Sequence, residues 1–200
     1  MYEDSAQKIV EKILQLTSLS GRLVLEIGCG DGRITSLLFT HTTQLVAIDP
    51  DPDLIRKARF ENTGVDFRLA KGEDLPFFDN CFDLVLFTLS LHHQESSCAL
   101  SEAGRVLKSD GQILVVEPAD DGEVEQFFTL VHDEKKDKEK AQQAIRQSGL
   151  NLVDTEIFSA TWMFDDKEEL CRSLFDYYEV PFDPDVARQI STLLGAKQNS

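Results

Sequence analysis

Apolar residues recur at Ala6, Ile9, Val10, Ile13, Leu14 and Leu16, close to every third and fourth position. This predicts an amphipathic helix closed by the turn Ser18 to Gly21. The period then changes. Leu23-Val24-Leu25-Glu26-Ile27 is a short apolar run read as a buried strand; a glycine cluster follows, and Ile34, Leu37 and Leu38 share one face of a short helix. Leu45-Val46-Ala47-Ile48 forms a second strand ending at Asp49, and Asp51-Pro52-Asp53 marks the start of a helix with Leu54, Ile55 and Ala58. Third and fourth strands are predicted at Val65 to Leu69 and Phe82 to Thr88. A helix with Leu100, Ala103, Val106 and Leu107 inward comes next, and the turn Lys108 to Gly111 leads to a fifth strand, Gln112 to Glu117. Strands and helices alternating at this spacing predict right-handed βαβ units in an α/β, doubly wound, mostly parallel sheet with helices on both faces.

After Pro118 the pattern weakens. Val124, Phe127, Phe128, Leu130 and Val131 suggest a short helix. Asp133 to Lys140 holds four acids and four bases, a solvated helix face that Ala141, Ala144 and Ile145 continue to a stop at Gly149. Leu152 to Phe158 and Thr161 to Phe164 read as extended, and two last helices fit Lys167 to Tyr178 and Pro184 to Leu194. With no internal repeat and no linker, residues 1–200 are expected to form a single domain: a helix over 1–20, a core over 21–118, and a carboxyl-terminal part over 119–200.

The composition narrows the function. Hydrophobic residues are 42% and charged residues 28%, ordinary for a globular chain, but 20 Lys and Arg against 36 Asp and Glu leave a net charge of −16. Binding to duplex nucleic acid or anionic membranes rests on cationic side chains, so neither partner is expected. No apolar run approaches the ~20 residues that span a bilayer, and residues 1–20 carry charges without an apolar block, so the expected location is cytoplasmic. Cys29, Cys81, Cys98 and Cys171 stand far apart with no C-x-x-C pair, which predicts reduced, mostly buried thiols and no metal site.

The chemistry concentrates in Val24-Leu25-Glu26-Ile27-Gly28-Cys29-Gly30-Asp31-Gly32-Arg33. In a doubly wound sheet, ligands bind outside the carboxyl ends of the strands, where the first strand-to-helix turn sits. A dinucleotide fingerprint, G-x-G-x-x-G, would need glycine where Arg33 stands; the chain instead has G-x-G-x-G with an acid two residues before it. That suits a ligand without phosphates that carries an ammonium group and a sulfonium. Asp49, 21 residues after Gly28, stands where a carboxylate can accept both ribose hydroxyls.

With these features the sequence resembles the class I S-adenosylmethionine-dependent methyltransferases, in particular their small-molecule branch. The resemblance covers Arg22 to Pro118: the glycine turn, Asp49, the G-E-D-L-P-F stretch from Gly72 with Phe82-Asp83-Leu84-Val85 after it, Leu91-His92-His93, and Arg105-Val106-Leu107-Lys108 with Gly111. It implies a seven-stranded sheet whose last strand is antiparallel, a part that Thr161 to Phe164 could play. It implies S-adenosylmethionine as cofactor, with Glu26, Gly28 and Gly30 framing the methionine part and Asp49 holding the ribose. Gly72 and Glu73 would meet the adenine edge, Phe87 and Thr88 would close the pocket, and Cys29, Gly32 and Pro50 would complete the lining. Lys71 stands where the family often has Asp for the adenine amine, so that contact falls to backbone groups.

His92 and His93 are candidates for a general base, with loop packing or cofactor contact as the alternative. The Asn/Asp-Pro-Pro-aromatic motif of nucleic-acid amine methylation is replaced by Thr88-Leu89-Ser90-Leu91. A small-molecule acceptor is therefore expected, enclosed by Tyr2, Phe127, Phe128, Trp162, Phe164, Tyr177 and Tyr178, with Arg172 binding an acceptor carboxylate. Phe164-Asp165-Asp166 and Arg172-Ser173-Leu174 resemble a stretch of the malonyl-carrier-protein methyltransferase, so O-methylation of an acyl group on a carrier protein is an alternative, disfavoured by charge. A non-catalytic S-adenosylmethionine-binding protein is another.

Overall fold

Five of the apolar runs line up in one all-parallel sheet. The computed structural model describes residues 2–42, 44–119, 122–178 and 180–197. In chain order the elements are β1 (Tyr2–Glu3), α1 (Ser5–Leu16), β2 (Val24–Ile27), α2 (Arg33–Phe39), β3 (Leu45–Asp49), α3 (Pro52–Glu61), β4 (Asp66–Leu69), β5 (Phe82–Thr88), the 3₁₀ turn η1 (Leu91–His93), α4 (Ser96–Val106), β6 (Leu107–Val116), α5 (Glu125–Val131), α6 (Lys135–Gln147), β7 (Trp162–Met163), α7 (Lys167–Tyr177) and α8 (Pro184–Lys197). The sheet order is β4-β3-β2-β5-β6, so strand order reverses between β2 and β5. Leu25 pairs in register with Val46 on one side and Val85 on the other.

Two compact units emerge. The larger holds residues 6–118 and 137–159 and contains the sheet. Alternation along the strands divides its core. Leu25, Ile27, Val85 and Phe87 pack with Ala99, Leu100 and Ala103 of α4 and Ala141 of α6. Val24, Leu45, Leu84 and Leu86 pack on the other face with Ile9 and Ile13 of α1 and Ile34 and Leu38 of α2. Local signals hold the helix starts: Asp51 caps α3, its carboxylate accepting the N–H groups of Asp53 and Leu54, with Pro52 opening the helix.

The smaller unit holds residues 1–5, 119–136 and 160–200 and has its own core. Phe128 is its centre, with Trp162, Tyr177 and Tyr178 set edge-on around it at ring distances of 5.2, 5.0 and 5.8 Å. The Tyr178 hydroxyl donates to Glu134 at 3.1 Å, and burial, then the Glu134 charge, push that phenol well above its ordinary range. The side chain of Tyr2 lies outside the described residues.

The expected seven strands are five. Trp162–Met163 pairs antiparallel with Tyr2–Glu3 in a separate two-stranded sheet instead of joining the main one. Asp4 draws the chain there, since its carboxylate accepts the Thr161 N–H at 2.6 Å and its own N–H donates to Thr161 O. No strand is formed between residues 151 and 161, despite the extended pattern of Leu152 to Phe158. The fifth strand also starts earlier than expected, at Leu107, because the turn 108–111 is absorbed as a register shift between Phe82 and Leu84. Among the described residues no helix is long and apolar enough to cross a membrane.

Candidate functional site

The carboxyl ends of β2 and β3 meet at the glycine turn. The Gly28 and Cys29 N–H groups both donate to Ile48 O, at 2.8 and 2.9 Å, which ties the turn to β3. Gly28 has φ +76° and Gly30 φ +56°, the left-handed region that β-carbon-bearing residues avoid. Their surroundings differ. A β-carbon on Gly28 would fall on the Ser90 side chain, whereas one on Gly30 would meet nothing within 4 Å. Gly28 is thus a packing glycine, and Gly30 faces open space. Gly32 is buried at the start of α2, against Ala58 and Phe67.

Asp49 ends β3 and is 8% exposed. One carboxylate oxygen accepts the Gly30 N–H and the other the Asp51 N–H, each at 2.9 Å. These bonds hold the carboxylate flat against the turn, and each oxygen keeps capacity for a second donor. Pro50, beside it, is exposed.

Glu26 is wholly buried, its two oxygens accepting hydroxyl protons from Thr35 at 2.6 Å and Thr88 at 2.7 Å. Burial raises its pKa, and the two hydroxyls only partly oppose this. The residue therefore bolts α2 and β5 to β2. Phe87 is also fully buried, in the sheet core. The Cys29 thiol is pushed far up by burial and then by the neighbouring Glu26 and Asp49 charges, so it is inert at neutral pH.

The turn after β4 closes the same end of the sheet. Gly72 is buried; a β-carbon there would collide with the Gln94 side chain and stand 2.8 Å from Ile27 Cγ2. Glu73 accepts the Glu95 N–H at 2.8 Å.

The ends of β5 and β6 carry a second group. His92, in η1, is buried, and its Nδ1 bonds Glu117 just beyond β6. The other Glu117 oxygen accepts the Leu91 N–H at 2.9 Å, fixing the carboxylate against η1. His93 is exposed, its ring tilted against His92 at 3.9 Å. His92 also lines a polar cleft of about 300 Å³ with Gln94, Glu95, Ser96 and Ser97 on one side and Asp137, Lys140, Gln143, Ala144 and Gln147 of α6 on the other.

Of the sequence-predicted residues, the structure gathers Gly28, Gly30, Gly32 and Asp49 at one turn, with Cys29 packed beneath them. Arg172 was expected to face a cavity; it is exposed on α7, where neighbouring Cys171 and Leu174 are buried, and an exposed guanidinium gains little from one carboxylate. Sequence reasoning missed Glu117 and Gln94. Glu117 had a signal, since it is an acid at the carboxyl end of a strand in an open α/β sheet. Gln94 had none.

Residues 25–115 match the family model described as a methyltransferase domain. The chain is 31% identical over 119 residues to an uncharacterized methyltransferase of Staphylococcus carnosus, covering 58% of this chain and 56% of that one. It is 35% identical over 112 residues to the malonyl-[acyl-carrier protein] O-methyltransferase of Herminiimonas arsenicoxydans, covering 54% and 42%. The chain spans about half the length of the curated relatives it matches. The YcgJ protein of Bacillus subtilis shares the fold, with a TM-score of 0.65 and 22% identity over 95% of this chain and 82% of that one. The stretch that is similar to a methyltransferase domain, residues 25–115, contains the glycine turn and Asp49.

Proposed function

We propose that the protein transfers a methyl group from S-adenosylmethionine to a small-molecule acceptor. The observation that carries this reading is the β2–α2 turn, where Gly30 opens onto free space while its N–H is fixed on the Asp49 carboxylate. The donor set fits the cofactor: carboxylate and backbone groups for ribose hydroxyls and an ammonium, and a glycine that lets a ligand approach the main chain. Asp49 takes the ribose hydroxyls. Gly30 meets the ligand through its backbone, Gly28 and Gly32 shape the turn around it, and Gly72 and Glu73 bound its far end. Glu26, Thr88 and Phe87 act from beneath, because Glu26 and Thr88 are spent on each other and Phe87 is core.

Bound S-adenosylmethionine supplies the electrophilic methyl on its sulfonium. The chain's own work is alignment and proton removal. Glu117 fixes the His92 ring through Nδ1, and His92 is assigned the removal of a proton from the acceptor's nucleophile as the methyl is transferred. His93, exposed beside it, packs the ring.

The similarity to a malonyl-[acyl-carrier protein] O-methyltransferase favours a second reading, O-methylation of a carrier-bound acyl group. The net charge of −16 opposes docking of an acidic carrier, so the small-molecule acceptor is preferred. Methyl-labelled S-adenosylmethionine incubated with a metabolite extract and, separately, with malonyl-loaded carrier distinguishes them by mass spectrometry. Label in a small molecule supports the first reading and label on the carrier the second; S-adenosylhomocysteine failing to bind at all would overturn both.

A further inference from the structure

The aromatic rings of the smaller unit stand in three mutually perpendicular planes. Trp162, Tyr177 and Tyr178 make angles of 71, 73 and 80° with the plane of Phe128, so all three rise from it as walls from a floor. Tyr177 in turn stands at 75° to Trp162 and 87° to Tyr178, with ring centroids 6.0 and 5.3 Å apart. Two planes that are upright on Phe128 and square to Tyr177 run parallel to each other, which fixes the relation of Trp162 to Tyr178. The cluster reaches solvent. Phe128 is buried, but Trp162 and Tyr178 are half-buried and Tyr177 is 46% exposed.

Packing alone asks no particular charge of an aromatic cluster, yet this one sits in the acidic part of the chain. Residues 1–5, 119–136 and 160–200 hold 16 Asp and Glu against 6 Lys and Arg, a net −10 of the chain's −16. One acid is built into the cluster: Glu134, 9% exposed, accepts the Tyr178 hydroxyl. The face of an aromatic ring is its negative side, and its attraction for a cation strengthens as water is excluded. We propose that the cluster of Phe128, Trp162, Tyr177 and Tyr178 binds an alkylated ammonium ion. Its shape selects this class. Faces at right angles suit a compact, rounded cation, whereas a planar guanidinium stacks on one face and a metal ion asks for oxygen ligands. The site goes beyond methyl transfer and does not depend on the glycine turn.

Trp162 is the only tryptophan of the chain, so its emission reports on the cluster directly. The full chain is titrated with tetramethylammonium chloride, with tert-butanol as a neutral probe of similar bulk, and with sodium chloride at matched ionic strength. A saturable change in emission with tetramethylammonium alone supports the proposal. No response to tetramethylammonium, or an equal response to the alcohol or to sodium chloride, overturns it. Tyr177→Leu is expected to raise the dissociation constant for tetramethylammonium about three- to thirtyfold, and Tyr177→Phe, which keeps the ring, to leave it within about twofold of the wild type. Unchanged affinity in Tyr177→Leu, or the same loss in Tyr177→Phe, also overturns the proposal. S-adenosylhomocysteine binding, followed by calorimetry on the same protein, tests the glycine turn alone, so failure of one reading is distinguished from failure of the other.

Discussion

The two halves of the sheet's carboxyl edge use acidic residues in opposite ways. At β2 and β3 the carboxylates are committed to the backbone and to buried hydroxyls. Asp49 is pinned by two main-chain N–H groups and Glu26 by Thr35 and Thr88. At β5 and β6 the carboxylate of Glu117 is paired with a titratable ring, His92. The first arrangement resists motion and presents fixed acceptors, which suits a ligand that must be held in one place. The second fixes the orientation of an imidazole, a side chain able to carry a proton. Under the proposed function, binding and proton transfer would occupy neighbouring strand ends, divided at the point where strand order reverses.

The sharpest way to break this division is to remove the ring. His92→Ala is expected to lower kcat about 10²- to 10⁴-fold with the acceptor identified by labelling, while calorimetry finds S-adenosylhomocysteine bound as before. A matching loss of cofactor affinity would mean that the two ends are one site. Glu117→Gln should show the same split with a smaller loss.

Next in size is Gly28→Ala, which combines a left-handed φ with a collision against Ser90 and should cost about 2–4 kcal/mol in denaturant unfolding. Gly30→Ala has the strain without the collision, so about 1 kcal/mol is expected there, together with a loss of S-adenosylhomocysteine affinity of at least about tenfold. Similar affinities for Gly30→Ala and the wild type would remove the ligand from that side of the turn.

Asp49→Ala should weaken S-adenosylhomocysteine about ten- to a hundredfold. Asp51→Ala, which loses only the α3 cap, should cost about 1 kcal/mol of stability and leave affinity unchanged. Equal affinities for the two variants in calorimetry would contradict the role of Asp49.

The smallest effect concerns Glu26. Its folded pKa is raised above the ordinary 4.5 chiefly by burial, so the folded protein holds this proton to higher pH than the unfolded chain does. Its contribution is therefore full below the unfolded value and is lost as pH rises through the folded value. Glu26→Gln lacks this loss, and its Tm relative to the wild type should climb by about 3 °C as pH rises from acid to neutral. Parallel curves for the two proteins would show that Glu26 ionises without penalty.

Much of the larger unit was legible because short-range chemistry sets it. Asp51-Pro52 caps α3 by contacts within three residues, and the apolar runs at Leu23, Leu45 and Phe82 could satisfy their burial only inside a parallel sheet. The glycine spacing marked the turn because backbone conformation is a property of the residue itself. The smaller unit was less legible. Trp162–Met163 reads as a strand, but its partner, Tyr2–Glu3, is 160 residues away, and nothing in either segment names the other. The pattern of Leu152 to Phe158 also suits a strand, yet pairing depends on an edge being presented, which local sequence does not encode.

By itself, the sequence determined the alternation of strands and helices, the glycine turn with Gly28 and Gly30, and the acid at the end of β3, because each follows from side-chain periodicity or backbone freedom at the residue concerned. Only the tertiary structure decided that Glu26 is spent on Thr35 and Thr88, that Glu117 orients His92 from 25 residues away, that Arg172 is exposed, and that Gln94 turns an unpartnered carbonyl toward Gly72. Those outcomes depend on which distant groups packing brings within hydrogen-bond reach, and a side chain's chemistry is set by that company as much as by its own identity.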